Sequence, residues 1–185
     1  MTTKRIILLI LVSCSFVPLG FSQKFKSKES TTSFFSSTPI EDIEALTKET
    51  KSAIDADEKT FLFKVPITSF VFKSELMRDH FNENYLESKK FPYATFSGRM
   101  EGPVDFKTDG QYSVNAVGEF TIHGVTRKVS IPSIITIMKG VPTIESVFLI
   151  KLADYDIAVP KIVFNKIAEE IEVKIKSIYS SVKID

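Results

Sequence analysis

The side chains of this chain most able to do chemistry are a histidine and the carboxylates beside it. His80 follows Asp79 and stands three positions before Glu83. Residues three apart share one face of a helix, so His80 and Glu83 could both reach one metal ion. Without a distant further ligand, however, such a group is more typical of an ordinary polar helix surface. We therefore predict no metal site, and keep a metal-dependent enzyme using Asp79, His80 and Glu83 as an alternative.

The second histidine and a pair of aspartates give no clearer sign of an active site. His123 stands between two alternating apolar stretches, and neither Glu119 nor Arg127 is placed to orient it as a base. Asp154 and Asp156 flank a tyrosine in a predicted turn, an arrangement typical of a solvated loop. We predict that neither group is catalytic.

The sequence after residue 22 also lacks a cysteine nucleophile, the common motifs of phosphate and serine-nucleophile sites, and a strong net charge. The only cysteine is Cys14, and the sequence contains neither a Gly-rich phosphate loop nor a Gly-x-Ser-x-Gly motif. The formal net charge is +1, which gives no basic surface typical of nucleic-acid binding. We predict no catalytic residue, no cofactor and no nucleic-acid partner, and hence that the protein is not an enzyme.

The first 22 residues have the pattern of a secretory signal peptide. Lys4 and Arg5 form a basic start, Ile6–Val12 is apolar, and Gly20 and Ser22 occupy the −3 and −1 positions of a cleavage site. We predict a signal peptide at 1–22, one domain at 23–185, and a periplasmic location.

Two alternatives to a cleaved signal are weighed. A membrane-spanning helix needs about 18 apolar residues, whereas this run is shorter and broken by Ser13, Ser15 and Pro18. Leu11–Cys14 also resembles a lipobox, in which case lipidated Cys14 would anchor the protein to a membrane. In both the cleaved and the lipidated form, the protein leaves the cytoplasm.

Period-two alternation of apolar and polar residues dominates the rest of the chain. It predicts an all-β fold, with strands at Lys24–Ser37, Lys48–Asp55, Phe61–Ile67, Tyr93–Met100, Tyr112–Ile122, Val125–Ile131, Ile144–Leu152 and Glu170–Tyr179. His123 and Gly124 form a predicted two-residue hairpin link, since glycine accepts the positive φ that tight hairpins need. Seven to nine such strands without disulfides indicate a closed antiparallel barrel or a two-sheet sandwich.

Two short helices are predicted between the strands. Thr38 to Glu41 reads as a capping box with proline at the first helical position, followed by Ile43 and Leu46 on one face. A second helix is predicted from Ser74, as N-cap, to Leu86. Its apolar residues at i+4 spacing are Met77, Phe81 and Tyr85.

The alternation also predicts which side chains face the interior. These candidate ligand-binding residues are Phe61, Phe63, Val65, Ile67, Phe96, Met100, Val114, Ala116, Gly118, Phe120 and Ile122. Among them Ala116 and Gly118 are small, as are Ala94 and Gly98 beside Phe96. Small residues in a row mark either a tunnel or space taken by phenylalanines from the opposite wall, and the sequence leaves both open.

Several segments together resemble one known family, the YceI-like proteins of the bacterial envelope. They are Phe34–Ala45, His80–Ser88, Lys90–Phe96, Gly118–Val129, Asp154–Ile157 and Pro160–Ala168. The His123–Thr126 hairpin and the pattern Lys90-x-Pro92-x-x-x-Phe96 after a short helix are more specific than any single strand. The match follows the family's order over nearly all of the chain after residue 22.

The resemblance implies a lipocalin-like antiparallel barrel of about eight strands, whose apolar interior holds a polyisoprenoid or similar lipid without catalysis. The resemblance is compatible with transient contact between the protein and a membrane, and with a homodimer. Lys26–Ser30 is short and polar, and the histidines that some relatives carry in the first strand are absent, so their headgroup contacts cannot be transferred. The alternative function is a filled barrel that acts through its surface in envelope assembly or stress tolerance.

Overall fold

The computed structural model describes residues 23–158 and 168–182, which form ten strands and one short α-helix. The strands are β1 (Lys24–Ser37), β2 (Asp42–Thr47), β3 (Lys51–Asp55), β4 (Thr60–Pro66), β5 (Val71–Phe72), β6 (Tyr93–Glu101), β7 (Gly110–Ile122), β8 (Val125–Met138), β9 (Val141–Lys151) and β10 (Glu170–Ser181), and the helix is α1 (Glu75–His80). The predicted signal peptide and Cys14 lie outside the described residues. The all-β prediction is confirmed.

Eight of the strands close into an antiparallel barrel. They follow one another as β1, β3, β4, β6, β7, β8, β9 and β10, and β10 pairs again with β1, from Phe25 opposite Ser181 to Phe35 opposite Glu172. β2 pairs with β1, and β5 pairs with β2, outside the ring. The barrel prediction is therefore confirmed, and the sandwich alternative is wrong.

The first predicted helix is wrong, because residues 42–47 form β2 instead. The Thr38 hydroxyl accepts a hydrogen bond from the Glu41 backbone N–H at 3.1 Å, as a helix cap would. That bond here closes the turn between β1 and β2. Burial in β2 alternates with period two, ending on buried Ala45 and Thr47, so pairing with β1 outweighs the local helix signal.

The second predicted helix is present, with an irregular second half. α1 starts after Ser74, the predicted N-cap position, although the Ser74 side chain makes no capping hydrogen bond. Phe81–Tyr85 then continues as a π-helical turn, and the Leu86 N–H donates to the Phe81 carbonyl at 2.9 Å. The predicted hairpin link is also confirmed: His123 and Gly124 both have positive φ, 53° and 76°.

The barrel wall is not paired along its full height. β8 and β9 pair only where Ser133–Met138 faces Val141–Ser146, and β1 pairs with β3 only at Lys24–Lys26. Beyond these points each pair of strands separates, and β1 pairs with β2 from Thr32 onward. The barrel therefore has a fully paired end and an end where strands diverge.

The diverging end is covered by residues 67–86, which we call the covering segment. It contains a 3-10 turn at Ile67–Ser69, β5, α1 and the π-helical turn. A second 3-10 turn, Leu152–Tyr155, lies against the β7–β8 hairpin, where the Phe120 and Tyr155 rings meet edge to face at 5.5 Å. We call this end the hollow half and the fully paired end, around Phe25, Ile54 and Tyr179, the filled half.

Candidate functional site

A cavity of about 430 Å³ occupies the hollow half. Its walls come from the ends of six barrel strands, β1, β4, β6, β7, β9 and β10, and from the covering segment. Side chains that represent these walls are Phe34, Val65, Ala94, Ile122, Ile150, Val173, Met77 and Leu86. This volume lies in the range of small-molecule sites, and its mostly apolar lining suits an apolar ligand.

An aromatic cluster forms one wall of the cavity. Phe34 of β1 stacks on Phe81 with ring centroids 5.4 Å apart, and Phe70 and Phe72 approach the Phe81 ring at 5.6 and 5.0 Å. Phe34 therefore attaches the covering segment to the barrel. Such aromatic pairs contribute about 0.5–1.5 kcal/mol each beyond their buried area.

The buried polar groups of the cavity wall are already satisfied by the protein. The Thr32 hydroxyl bonds to that of Thr50 at 2.7 Å, and the Ser36 hydroxyl accepts from the Ala168 N–H at 2.9 Å. Burial raises the pKa of Tyr85, which keeps its phenol neutral. Because the Thr32 and Ser36 hydroxyls already have partners within the protein, an apolar molecule can contact this part of the wall without stranding either of them.

The cavity lining reaches the protein surface at α1 and at the β1–β2 turn. Leu76 lines the cavity and is 64% exposed, and Glu41, Ser74 and the exposed His80 lie on the same rim. Ile40, next to Glu41, is 61% exposed. The rim thus combines exposed apolar side chains with a few polar ones.

The predicted interior residues divide between the two halves. Four of them line the cavity: Val65, Ile67, Phe120 and Ile122. Another six surround a void of only about 20 Å³, namely Phe61, Phe63, Phe96, Met100, Val114 and Ala116. A void of this size holds about one water molecule, so these six mostly pack against each other.

Gly118 lines neither space, and its small size has a different cause. It pairs directly with Gly98 across β6 and β7. A Cβ built on Gly118 would lie 2.7 Å from the Gly98 Cα and would overlap the Ser97 carbonyl oxygen. The two glycines therefore let the backbones of β6 and β7 approach closely, and they do not mark a tunnel.

Much of the cavity wall was not among the predicted site residues. The missed side chains include Phe34, the apolar residues of the covering segment after Ile67, Phe148 and Ile150 of β9, and Ile171, Val173 and Ile175 of β10. The alternation of β10 and the i+4 spacing of Met77, Phe81 and Tyr85 are visible in the sequence. Those patterns identify apolar faces but not the cavity they share.

The candidate metal ligands do not form a cluster. Asp79 pairs with Arg78 at 3.0 Å, and His80 faces the rim of the cavity. Within residues 23–158 and 168–182, no three His, Cys, Asp or Glu side chains are close enough to hold a metal ion. The absence of a cofactor and of catalysis stays a prediction.

His123 does have a carboxylate partner, contrary to the sequence-based interpretation. Its Nε2 lies 2.9 Å from Glu87 Oε2, and its Nδ1 lies 3.1 Å from the Tyr155 carbonyl oxygen. Arg127 also donates to the Asp154 carbonyl. These contacts join Glu87, which directly follows the covering segment, to the β7–β8 hairpin and the Leu152–Tyr155 turn. Asp154 and Asp156 are exposed in that turn, as predicted.

Comparison with known proteins decides the family. The family model described as the YceI-like domain matches residues 23–178. This chain belongs to the YceI-like family. A sequence comparison with curated proteins found no match.

Solved structures share the YceI-like fold at low sequence identity. A polyisoprenoid-binding domain from Saccharophagus degradans is 15% identical with a TM-score of 0.73, covering 85% of this chain and 98% of its own. BcnA of Burkholderia cenocepacia is 19% identical with a TM-score of 0.69, covering 82% and 96%. A YceI protein of Campylobacter jejuni is 19% identical with a TM-score of 0.59, covering 76% and 85%. At these identities the similarity establishes the fold alone.

None of the helices in the described ranges is long and apolar enough to cross a membrane.

Proposed function

We propose that this YceI-like protein binds an apolar chain, an isoprenoid or similar lipid, in the cavity of the hollow half. The observation that carries the proposal is a cavity of about 430 Å³ whose buried polar groups are already paired. The Saccharophagus degradans relative is described as a polyisoprenoid-binding domain, which supports the same ligand class here.

The energetics of burial favour such a ligand. Each CH₂ group moved from water into an apolar site contributes roughly 0.8 kcal/mol. A chain with roughly 15 buried carbons contributes about 12 kcal/mol. After association and ordering costs of about 4 kcal/mol, this leaves an affinity near the micromolar range. The aromatic and aliphatic walls make few directional contacts, so discrimination comes from ligand size and from the rim.

We further propose that the protein is exported and works in the periplasm, where it transports, stores or sequesters the lipid. The signal-like residues 1–22 support export. Leu76 and Ile40 at the rim would enter the membrane surface during brief contacts, so that the lipid passes between bilayer and cavity without crossing water. The intact mass of the exported protein distinguishes cleavage after Ser22 from lipidation at Cys14.

The test is lipid extraction from the full-length gene product, exported and purified without detergent. Native mass spectrometry and solvent extraction should find a copurifying apolar molecule in about one copy per barrel. The same spectra report the monomer or homodimer. Folded protein that carries no lipid, and takes none up from added lipid, would exclude the proposal.

A cavity-filling variant localises the ligand. Val173 lines the cavity, whereas Val147 of the neighbouring strand faces outward and is 53% exposed. Val173→Phe should weaken lipid binding about 30-fold, since the added ring displaces several ligand carbons worth about 2 kcal/mol. Val147→Phe is the matched control and should bind as the unchanged protein does. Equal binding by both variants would place the ligand elsewhere.

A further inference from the structure

The depth of the cavity is limited by two side chains. Phe148 of β9 and Ile175 of β10 border both the large cavity and the void of about 20 Å³ below it. Among the residues that the structure describes, no other side chain is shared between the linings of these two spaces. Phe148 and Ile175 therefore form the boundary between the hollow half and the space beneath, and we call them the partition.

The partition is held in place by neighbouring aromatic rings. Phe148 meets Phe120 edge to face at 6.2 Å, and Phe120 meets Phe96 at 6.1 Å in the same manner. Phe96 in turn lies 4.7 Å from Phe61. Phe148 thus packs against Phe120, itself part of the cavity lining, and through it against a row of rings that reaches Phe61 in the wall of the smaller void.

Below the partition there is no further space for a ligand chain in the described part of the barrel. The void there is about 20 Å³, the fully buried Ile135 is part of its own wall, and Phe25 and Tyr179 are fully buried in the filled half. A chain entering from the rim therefore ends at Phe148 and Ile175. Its buried length is set by the cavity above them.

The volume of the large cavity indicates how many ligand carbons fit inside it. An apolar protein cavity of about 150 Å³ holds benzene, which is about 25 Å³ per carbon. At that density the cavity of about 430 Å³ holds roughly 15 to 17 carbons, the size of three isoprene units. A chain of eight units would leave more than half of its carbons outside the rim.

We propose that the partition of Phe148 and Ile175 sets a chain-length limit, and that the preferred ligand has one apolar chain of about 15 carbons. This inference rests on the proposed function and specifies its ligand class. The affinity for apolar chains should rise with length up to about three isoprene units and then stop rising, because further carbons stay in water or at the rim.

The experiment measures the affinity of the full exported protein, stripped of copurified lipid, for prenols of two, three, four and eight isoprene units. Displacement of a fluorescent fatty-acid probe reports each dissociation constant. The unchanged protein should gain at least tenfold in affinity from two to three units, and less than twofold for each unit beyond. Continued tenfold gains up to eight units would overturn the length limit while leaving lipid binding in place.

Variants of the partition residues test whether they set the chain-length limit. Phe148→Ala joins the two spaces, so affinity should keep rising up to the prenol of four isoprene units. The variant should bind that prenol at least tenfold more tightly than the unchanged protein does. Phe61→Ala is the matched control: it removes the same ring from a residue that lines only the lower void, and the limit should stay at three units. Phe148→Leu and Ile175→Ala are milder, and should shift the limit in the same direction if Phe148→Ala does not fold.

The outcomes separate the two proposals. If folded protein binds none of the prenols and carries no lipid, the proposed function itself is wrong. A second outcome is that the chain-length limit lies at three units while no folded Phe148 or Ile175 variant changes that limit. In that case the partition does not set the limit, and the proposed function stands. A shift by Phe61→Ala equal to that by Phe148→Ala would equally overturn the assignment.

Discussion

The two halves of this barrel are built from the same strands but differ in what fills them. In the filled half, Phe25, Ile54 and Tyr179, from the neighbouring strands β1, β3 and β10, are at most 2% exposed. In the hollow half, side chains of six of the eight barrel strands, β1, β4, β6, β7, β9 and β10, line a cavity. Both halves use large apolar residues, so composition does not explain the difference.

The difference between the two halves follows from strand pairing. Where β8 stays paired with β9, and β1 with β3, the ring is narrow and opposite side chains meet. Where those pairs separate, the ring widens, and the covering segment with the Leu152–Tyr155 turn supplies the missing wall. Eight-stranded barrels are just wide enough to be filled or to hold one ligand, so a modest widening changes the outcome.

The buried polar groups of the filled half are paired within the protein, as are Thr32 and Ser36 in the cavity wall. Ser30 bonds to Ser177 at 2.5 Å, and Ser52 donates to the Tyr179 phenol oxygen at 2.8 Å. These hydroxyl pairs join β1, β3 and β10 inside the barrel. Buried hydroxyls that satisfy each other fix the strand register without requiring water or ligand.

The largest expected difference between the halves is in the cost of removing a ring. Phe25→Ala should lower the free energy of unfolding by about 3–5 kcal/mol, because Phe25 is surrounded by packed atoms. Phe72→Ala, beside the cavity, should cost about 1–2 kcal/mol, since one side of its ring already faces empty space. Urea denaturation of both variants measures the difference, and equal losses would contradict the division into two halves.

A second prediction concerns the glycine pair between β6 and β7. Gly118→Ala should destabilise the protein by about 3 kcal/mol, because its Cβ would collide with backbone atoms of Ser97 and Gly98 rather than with a movable side chain. Gly110→Ala is the control, since the nearest atom to its Cβ would lie at 3.5 Å. Thermal melts compare them, and a stable Gly118→Ala protein would show that the strands are not held this close.

The alternation of apolar and polar residues in the sequence predicts one property of the barrel and not another. Period two identifies which side chains face inward, so β1 has the predicted bounds Lys24–Ser37 and β7 differs from its prediction only at its start. Alternation does not tell how high along the barrel axis an inward residue lies. Phe61 and Ile122 therefore look equivalent in the sequence, yet one packs in the filled half and the other lines the cavity.

The misassigned helix and the missed walls have physical causes as well. The Thr38 hydroxyl bond is local and forms equally well in a turn, so only pairing with β1 reveals β2. The carboxylate partner of His123 is Glu87, 36 positions away in the chain, which no local pattern shows. Both β2 and the His123–Glu87 contact therefore depend on tertiary contacts that local sequence patterns do not show.

The third prediction uses pH to compare buried tyrosines. Burial raises the pKa of Tyr179 far above its ordinary value, against hydrogen bonds from Ser52 and Ser177 that lower it. Below about pH 10 the tyrosine is protonated in both the folded and the unfolded chain. At higher pH only the unfolded chain loses this proton, so stability should fall by about 1.4 kcal/mol per pH unit.

Urea midpoints at pH 9 and pH 11 measure that loss, and Tyr179→Phe should remove it. Tyr85→Phe is the control from the hollow half, where the burial that raises the tyrosine pKa is incomplete beside the cavity. It should leave most of the pH dependence in place. If Tyr85→Phe removed as much as Tyr179→Phe, the filled half would not be the more tightly packed one.

The smallest expected effect concerns the contacts that close the hollow half. His123→Asn keeps a residue that tolerates positive φ but is too short to reach both Glu87 and the Tyr155 carbonyl. It should lower stability by about 1 kcal/mol, because water can replace the bond to the half-exposed Glu87. Since the lost contacts surround the cavity, bound lipid should also dissociate a few-fold faster, as measured by stopped-flow displacement. His80→Asn, at the exposed rim, should change neither quantity, and identical effects from both histidines would mean that His123 does not hold the cavity walls together.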